Sequence, residues 1–177
     1  MKLIIGILSV FILGIHTQEN KYPVPKTKHL LFYLQRTHNA NTIVYDANFD
    51  ENGNLDPKNP VKAYWLRFAE KGQKMSLRRY EKWMAYGIKS KPSKIKDYDY
   101  RLYLSASSKV KLWVKQTGPF QAIVITIING KPAKLDHMFA TLKESGWIPK
   151  VKYGEFFGYD LETGEKVYQK VFPKDIK

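Results

Sequence analysis

The dipeptide Asn129-Gly130 separates two runs of apolar and β-branched residues, and it restricts the fold of this chain more than any other feature. The run before it, Phe120–Asn129, contains the sequence AIVITII, which is typical of a central strand. Asn-Gly is the strongest signal for a two-residue hairpin turn, because both residues accept positive φ angles. The segment that follows, Ala133–Leu142, is therefore predicted to return as an antiparallel partner.

Segments with strand periodicity recur along most of the chain. The sequence KVKLWVK alternates, so that Leu112 and Val114 share one face while Trp113 lies on the other face among lysines. About nine short strands joined by turns predict a mainly β fold, an antiparallel sandwich or barrel. Besides the two segments above, the predicted strands are His29–Arg36, Thr42–Asn48, Val61–Ala69, Tyr98–Ser105, Lys109–Gln116, Trp147–Tyr153, Phe156–Leu161 and Glu165–Phe172.

One segment, Leu77–Tyr86, has helical rather than strand periodicity. Ser76 precedes it as a candidate N-cap, and Gly87 follows it as a residue suited to a helix end. Apolar residues recur in the segment at helical spacing, which predicts one α-helix that packs through a single stripe. The predicted stripe consists of Leu77, Tyr80, Trp83 and Met84.

The first residues have the pattern of a secretory signal. Lys2 precedes the uncharged apolar run Leu3–Ile15, which has the length of a signal-peptide core. A membrane span takes about 20 residues, so this run is short for one. We predict a signal peptide at residues 1–18, with an uncleaved anchor as the alternative, and no transmembrane span after cleavage. The domain that follows is therefore expected to be exported.

The rest of the chain has the length and composition of one domain. Residues 19–27 contain Pro23 and Pro25 and are predicted to form an extended spacer, and residues 28–177 a single all-β domain. Apolar residues make up 44% of the chain, enough for a core, and cysteine is absent. The domain must therefore be stable through packing alone. Thiol catalysis, thiolate zinc sites and iron–sulfur clusters are excluded.

Positive charge is concentrated in the middle of the chain. Between Val61 and Lys115, fifteen lysines or arginines stand against four acidic residues, in a chain with a formal net charge of +14. Such a field attracts anionic ligands or surfaces, and salt weakens the attraction. An ordinary solvated surface is the alternative for the Lys-rich segment Lys89–Lys96. The predicted basic surface consists of Arg78, Arg79, Lys82, Lys89, Lys91, Lys94 and Lys96.

The predicted hairpin His29–Asn48 carries the densest group of chemically capable side chains. Arg36 can bind a carboxylate or phosphate through two hydrogen bonds, and His38 can act as an acid or base near neutral pH. The alternative is that Arg36 only pairs with Asp46 across the hairpin while the asparagines serve the turn. The candidate ligand-binding residues in the hairpin are Gln35, Arg36, His38, Asn39, Asn41, Asp46 and Asn48.

Trp113 is a further candidate ligand-binding residue. An exposed tryptophan among lysines forms an aromatic platform for sugars or lipid head groups. Burial of Trp113 beneath a neighbouring loop is the alternative. Export argues against nucleic acid as a partner, which leaves an anionic glycan, a lipid head group or an envelope protein.

The sequence predicts no metal site and no cofactor. The segment Asp46–Asp56 carries oxygen-bearing side chains at mostly two-residue intervals, but it lacks the glutamate at the twelfth position of a calcium loop. A solvated turn is therefore favoured. His29, His38 and His137 would have to converge with Asp46 or Asp136, which nothing in the sequence indicates. Nucleophile elbows, phosphate-binding loops, dinucleotide fingerprints and HExxH are also absent from the sequence.

Four stretches of the sequence carry a resemblance to a known family: QRTHNANTIVYDANF, NPVKAYWLRFAEKG, KWMAYGI and EFFGYDLETGEKVYQK. Over Leu31 to Val171 the chain resembles a family of small exported bacterial proteins, which is catalogued as a domain of unknown function. The resemblance implies one intact domain with a signal sequence, located in the periplasm or at the cell surface of a Gram-negative bacterium. It brings no activity, ligand or catalytic residue.

Three functions are compatible with these patterns. The leading one is a non-enzymatic, envelope-associated binding module that uses its basic face. The second is a hydrolase-like enzyme built on Arg36, His38 and Asp46, which requires His38 and Asp46 to lie within hydrogen-bond reach. The third is a structural subunit of an envelope complex, which would expose an apolar patch.

Overall fold

The computed structural model describes residues 22–143 and 150–174, and in these residues the chain is mainly β with a single short helical segment. The predicted fold class is therefore confirmed. The helical segment consists of α1, Arg79–Glu81, and a π-helical turn, Lys82–Tyr86, that continues it. The strands are β1 (Leu30–Arg36), β2 (Thr42–Ala47), β3 (Val61–Leu66), β4 (Lys74–Ser76), β5 (Ile88–Pro92), β6 (Tyr100–Leu104), β7 (Leu112–Gly118), β8 (Gln121–Ile128), β9 (Lys131–Lys143), β10 (Lys150–Asp160) and β11 (Lys166–Val171).

The long strand β9 is the point at which the sheet divides. One edge of β9 pairs along its length with β10, which in turn pairs with β11. The other edge pairs with β8 near its start and with β1 further along. Two series of paired strands extend from this edge. We call β1-β2-β3-β4 the first wing and β8-β7-β6-β5 the second wing.

The two wings share one hydrophobic core. Phe32 and Ile43 of the first wing and Leu112 and Val124 of the second are fully buried and belong to the same cluster. The wings therefore pack face to face as the layers of a sandwich, and β3 and β5 come into contact at their far side. In the part of the chain that is described, the sheet is not closed into a barrel.

The strand pairs are antiparallel with one exception. β1 and β9 run parallel, with Tyr33 opposite His137 and Arg36 opposite Ala140. A parallel pair needs a long connection between its strands, and here β2 to β8 form that connection. The sheet is consequently mixed, which strand periodicity alone does not reveal.

Strand β10 joins two segments that the sequence predicted as separate strands, Trp147–Tyr153 and Phe156–Leu161. The strand continues through Gly154 and is interrupted only by shifts of register at Val151/Tyr153 and at Phe157/Gly158. The first residues of the earlier segment, 147–149, lie outside the described residues. Gly154 therefore lies within a continuous strand and does not form a turn.

The helical segment lies where it was predicted, but its apolar stripe faces outward. Tyr80 is 55% exposed, Trp83 78% and Met84 44%, and only Leu77 of the stripe is buried. The prediction that the helix packs through this stripe is therefore wrong. Ser76 is also not the N-cap, because it belongs to β4 and Arg78 takes that position.

Different residues attach the helical segment to the sheet. The indole Nε1 of Trp65 donates to Oε2 of Glu81 over 3.2 Å, and the ring of Tyr86 packs edge-on against Trp65 at 5.1 Å between centres. The hydroxyl of Tyr45 donates to the carbonyl of Tyr86 over 3.0 Å. These contacts fix the inner side of the segment and leave its aromatic stripe to solvent.

The segment before β1 lies against the sheet. Nε2 of Gln35 donates to the carbonyl of Pro23 over 3.0 Å, and Tyr22 stacks with Phe139 at 6.2 Å between ring centres. The described part of the predicted spacer is therefore bound to the domain. The predicted signal peptide at residues 1–18 lies outside the described residues and stays a prediction. Among the described helices, none has the length and apolar character to cross a membrane.

Candidate functional site

The basic edge is the name we give to the side of the domain formed by the helical segment with its N-cap residue Arg78, by β5 and by the loop after β5. All seven residues of the predicted basic surface are exposed there. In the described residues, no carboxylate lies within 4.0 Å of any of their charged groups, since the ion pairs involve other residues. Direct pairing does not neutralise this surface. Its members are Arg78, Arg79, Lys82, Lys89, Lys91, Lys94 and Lys96.

Strand β5 presents lysines from an outer position in the sheet. Lys89 is opposite Tyr103 of β6, and Lys91 is opposite Arg101. The ammonium of Lys91 lies 5.9 Å from the centre of the Tyr103 ring. Both lysines point away from the buried core, so a ligand approaching this face meets their charges first.

Arg101 of β6 has a structural role beside these lysines. Its two terminal nitrogens donate to the carbonyls of Leu112 and Val110 over 3.0 and 3.1 Å, and its guanidinium lies 4.7 Å from the centre of the Trp113 ring. Burial lowers the pKa of Arg101, although Tyr103 acts in the opposite direction. The donors of Arg101 are thus largely used within the protein.

Trp113 lies half-buried between Arg101 and Tyr98. The ring of Tyr98 stacks on it at 5.5 Å between centres, with 30° between the planes. Tyr98 belongs to the loop after β5, so this loop covers part of the indole. The arrangement is close to the alternative in which a neighbouring loop buries Trp113. A ligand-binding role for Trp113 stays a prediction.

The most exposed large aromatic side chain in the described residues is Trp83, at 78%. It lies with Tyr80 and Met84 on the outer side of the helical segment, among Arg79 and Lys82. The sequence analysis assigned these apolar residues to the core, because helical spacing does not distinguish an inner stripe from an outer one. The density of cations within the same ten residues was the signal that could have indicated an outward stripe.

Arg36 packs against aromatic rings. Its guanidinium carbon lies 5.0 Å from the centre of the Trp65 ring, and Nη1 donates to the hydroxyl of Tyr86 over 3.0 Å. Burial raises the pKa of Tyr86, and the charge of Arg36 opposes that effect. Arg67 contacts Trp65 at the same distance of 5.0 Å. Arg36 is therefore held by rings, and it does not pair with Asp46.

Asp46 lies at the opposite end of the hairpin from Arg36. Its two carboxylate oxygens accept hydrogen bonds from Thr27 at 2.5 Å and from the hydroxyl of Tyr64 at 2.6 Å. His38 is exposed in the turn, with a φ of 95°. The structure does not bring Arg36, His38 and Asp46 together, so the geometry required for the hydrolase-like alternative is not formed.

The asparagines of the hairpin support the local backbone. Oδ1 of Asn39 accepts from the backbone N–H of Asn41, and Oδ1 of Asn41 accepts from that of Ala69 over 2.9 Å. Nδ2 of Asn48 donates to the carbonyl of Asn59 over 2.8 Å. Gln35 is fully buried and holds the segment before β1, as described above. These side chains explain the local fold, and ligand binding by them stays a prediction.

The acidic loop after β2 uses its carboxylates in turns. Oδ1 of Asp50 accepts from the backbone N–H of Asn52 and Asn54, each over 2.9 Å. Hydrogen bonds from Lys58 and Asn59 lower the pKa of Asp56. No three acidic or histidine side chains in the described part of the chain are placed to hold a metal ion.

Asp136 and His137 form a contact that the sequence analysis missed. Nδ1 of His137 lies 2.6 Å from Oδ2 of Asp136, and the imidazole stacks between Tyr33 at 4.9 Å and Phe157 at 4.3 Å. Consecutive residues of a regular strand point to opposite faces. The bulge opposite Phe157/Gly158 leaves Asp136 unpaired in the ladder and permits the contact.

The fold and the basic edge define a mainly β domain with a forked, mixed sheet and an exposed cationic side. The chain belongs to the family described as Domain of unknown function (DUF4833), whose sequence profile matches residues 32–170. The resemblance noted in the sequence is confirmed to that extent. No curated protein and no solved structure matches the chain.

Proposed function

We propose that this protein is an exported, envelope-associated binding module that holds an anionic ligand or surface against its basic edge. The observation that carries the proposal is the set of seven exposed cations without a carboxylate partner within 4.0 Å in the described residues. The electrostatic potentials of unpaired cations on neighbouring elements add together. The combined potential attracts anions over a Debye length of about 10 Å.

Protection of an edge strand accounts for only part of this charge. Lysines on an outer strand discourage pairing with other chains, and Lys89 and Lys91 on β5 suit that purpose. Arg79 and Lys82 belong to the helical segment, and Lys94 lies in the loop beyond β5. These residues have no strand edge to protect, so the charge beyond β5 supports binding.

Retention on an anionic matrix tests the proposal. We expect the protein to bind a sulfated polysaccharide resin at low salt and to elute as salt rises, because screening weakens the attraction. Charge reversal at four lysines of the basic edge should abolish retention. The substitutions are Lys89→Glu, Lys91→Glu, Lys94→Glu and Lys96→Glu.

A matched variant controls for net charge. Four exposed lysines outside the basic edge, each replaced by glutamate, change the total charge by the same amount and should leave most of the retention intact. Equal losses in the two variants, or no retention of the unmodified protein, would overturn the proposal. The control positions are Lys26, Lys58, Lys152 and Lys166.

Export is part of the proposal and has a separate test. The apolar run Leu3–Ile15 supports a cleaved signal peptide. Mass spectrometry of the protein from fractionated cells should find a chain that lacks about the first 18 residues, outside the cytoplasm. A full-length chain in the cytoplasmic fraction would count against export while leaving anion binding to be judged by the resin.

A further inference from the structure

We propose that the helical segment Arg79–Tyr86 is a membrane-docking element, which places Tyr80, Trp83 and Met84 in the head-group region of an anionic lipid bilayer. The inference rests on the proposed function, since it specifies which anionic surface the basic edge recognises. It also adds apolar contacts that the charge alone does not require.

The aromatic stripe is exposed because the other side of the segment is anchored. Besides the contacts with Trp65 and Tyr45 described above, Oγ of Ser105 donates to the carbonyl of Lys82 over 2.6 Å. Gly87 approaches the same carbonyl so closely that a Cβ atom there would lie 1.9 Å from it. The segment is therefore fixed on its inner side, and the outward direction of Trp83 is part of the fold.

The residue types of the stripe suit the boundary between water and lipid. Tryptophan and tyrosine combine an apolar ring with a polar group, and they are enriched at membrane interfaces. Met75 of β4 is exposed close by in sequence, at 38%. Insertion of these side chains would remove apolar surface from water, which is favourable in proportion to the area buried.

The charges around the stripe select an anionic bilayer as its partner. Arg79 and Lys82 of the segment and Arg78 directly before it are exposed, and in the described residues none of their side-chain charges lies within 4.0 Å of a carboxylate. Long basic side chains bury their stems at a membrane surface while their charges stay at the level of the head groups. Anionic lipids attract such cations near the membrane surface.

A protein partner fits this surface less well. The core of a protein interface is depleted of lysine, and a stable interface usually buries about 1,200 Å² or more in total. Here a few apolar side chains are interleaved with cations on two turns of helix. A bilayer requires no matching shape, so a patch of this size is sufficient in combination with charge.

Vesicle binding tests the inference on the protein in its exported form. Vesicles of phosphatidylglycerol and phosphatidylcholine should bind it, and vesicles of phosphatidylcholine alone should bind it weakly. The triple variant Tyr80→Ser, Trp83→Ser, Met84→Ser should lose about tenfold or more in partitioning, because the buried apolar area is removed. The same variant should keep its retention on the sulfated polysaccharide resin, because its basic residues are intact.

A matched triple variant replaces exposed apolar residues elsewhere with serine, and it should partition like the unmodified protein. Its positions are Ile127, Val151 and Leu161. Thermal melts of both variants establish that each is folded.

Tryptophan emission gives a direct readout of insertion. The emission should shift to the blue on vesicle binding, and brominated lipids should quench it. The variant Trp83→Phe should lose most of both changes.

The outcomes separate this inference from the proposed function. Retention on the resin without vesicle binding would overturn membrane docking and leave the binding module intact. Unchanged vesicle binding by the Tyr80/Trp83/Met84 variant would show head-group attraction alone, which also overturns docking. A further outcome is that the unmodified protein forms a dimer that the same substitutions dissociate, and fails to bind vesicles. That result would make the stripe a contact with a second copy of the chain, and it would overturn docking. Failure on both resin and vesicles would overturn both proposals.

Discussion

The guanidinium of Arg36 lies 5.0 Å from the centre of the Trp65 ring, so a cation at the end of β1 packs on an aromatic side chain two strands away. Trp65 is 1% exposed. Arg67 contacts the same ring at 5.0 Å. A cation near an aromatic face away from water is attracted by up to about 2 kcal/mol, so this contact stabilises the end of the core.

Replacement of Arg36 should therefore change stability. We expect Arg36→Leu to lower the free energy of unfolding by about 2 kcal/mol, since it removes the contact with Trp65 and the hydrogen bond to Tyr86. Arg36→Lys keeps the charge and should cost less. Urea unfolding followed by circular dichroism measures both. An unchanged midpoint for Arg36→Leu, together with weaker anion binding, would instead identify Arg36 as a ligand-binding residue.

Gly158 should tolerate no side chain, in contrast to Gly154 in the same strand. A Cβ atom at Gly158 would lie 2.4 Å from the carbonyl oxygen of Lys134, whereas one at Gly154 would be 3.5 Å from Val171. Gly158→Ala must displace backbone at the bulge, and we expect it to cost about 3 kcal/mol or more. Gly154→Ala should change stability by less than about 1 kcal/mol. Similar unfolding midpoints for the two variants would contradict this account of the bulge.

Asp160 should contribute to the loss of stability in acid. Backbone N–H groups of Glu162 and Thr163 donate to its carboxylate and, with Lys131 nearby, they hold the pKa of Asp160 below its ordinary value of 3.8. A lowered pKa in the folded state means that this stabilisation is present above about pH 4 and is lost as pH falls through the lowered value.

The measurement compares melting temperatures at pH 7 and pH 3. Asp160→Asn cannot titrate, so its melting temperature should fall less between these pH values than that of the unmodified protein. Glu51→Gln, at an exposed position of the acidic loop, is the control and should behave like the unmodified protein. Parallel pH profiles for Asp160→Asn and the unmodified protein would show that Asp160 is not a source of acid sensitivity.

Gln35 should control how firmly the segment before β1 is held. Its amide donates to the carbonyl of Pro23 and to the hydroxyl of Thr42 in a buried position. Gln35→Ala should lower the free energy of unfolding by about 1–3 kcal/mol, because it removes both hydrogen bonds and leaves a cavity at a fully buried position. It should also speed tryptic cleavage after Lys26 and Lys28. Unaltered cleavage rates would mean that other contacts, such as Tyr22 with Phe139, suffice.

Much of the secondary structure follows from local sequence. The Asn129-Gly130 turn predicted β8 and β9 closely, because turn geometry is a property of neighbouring residues. Alternation at 109–115 predicted a strand that overlaps β7, although β7 begins at Leu112 and not at Lys109. The parallel pairing of β1 with β9 depends on residues far apart in the chain, and no local pattern encodes it. The bulge that brings Asp136 to His137 depends in the same way on the partner strand.

The sequence predicted the charged residues of the candidate site, but it did not predict that the aromatic residues beside them are exposed. The lysines and arginines of the basic edge are exposed, as their long charged side chains lead one to expect. Trp83 and Tyr80 were expected to pack inward because they recur at helical spacing, and that spacing does not distinguish an inward stripe from an outward one. In the hairpin, Arg36 and Asp46 have partners on β3 and on the segment before β1, which the hairpin sequence could not reveal.

The division of the sheet at β9 has a consequence for the order in which the chain assembles. Thr37 at the end of β1 and Leu142 in β9 are joined by a hydrogen bond although they are 105 positions apart. As the chain is synthesised from its N-terminus, β1 and β2 emerge early, but one edge of β1 lacks its neighbour until β9 follows. We expect the nascent first wing to present an open strand edge, prone to aggregation, for most of the time that synthesis takes.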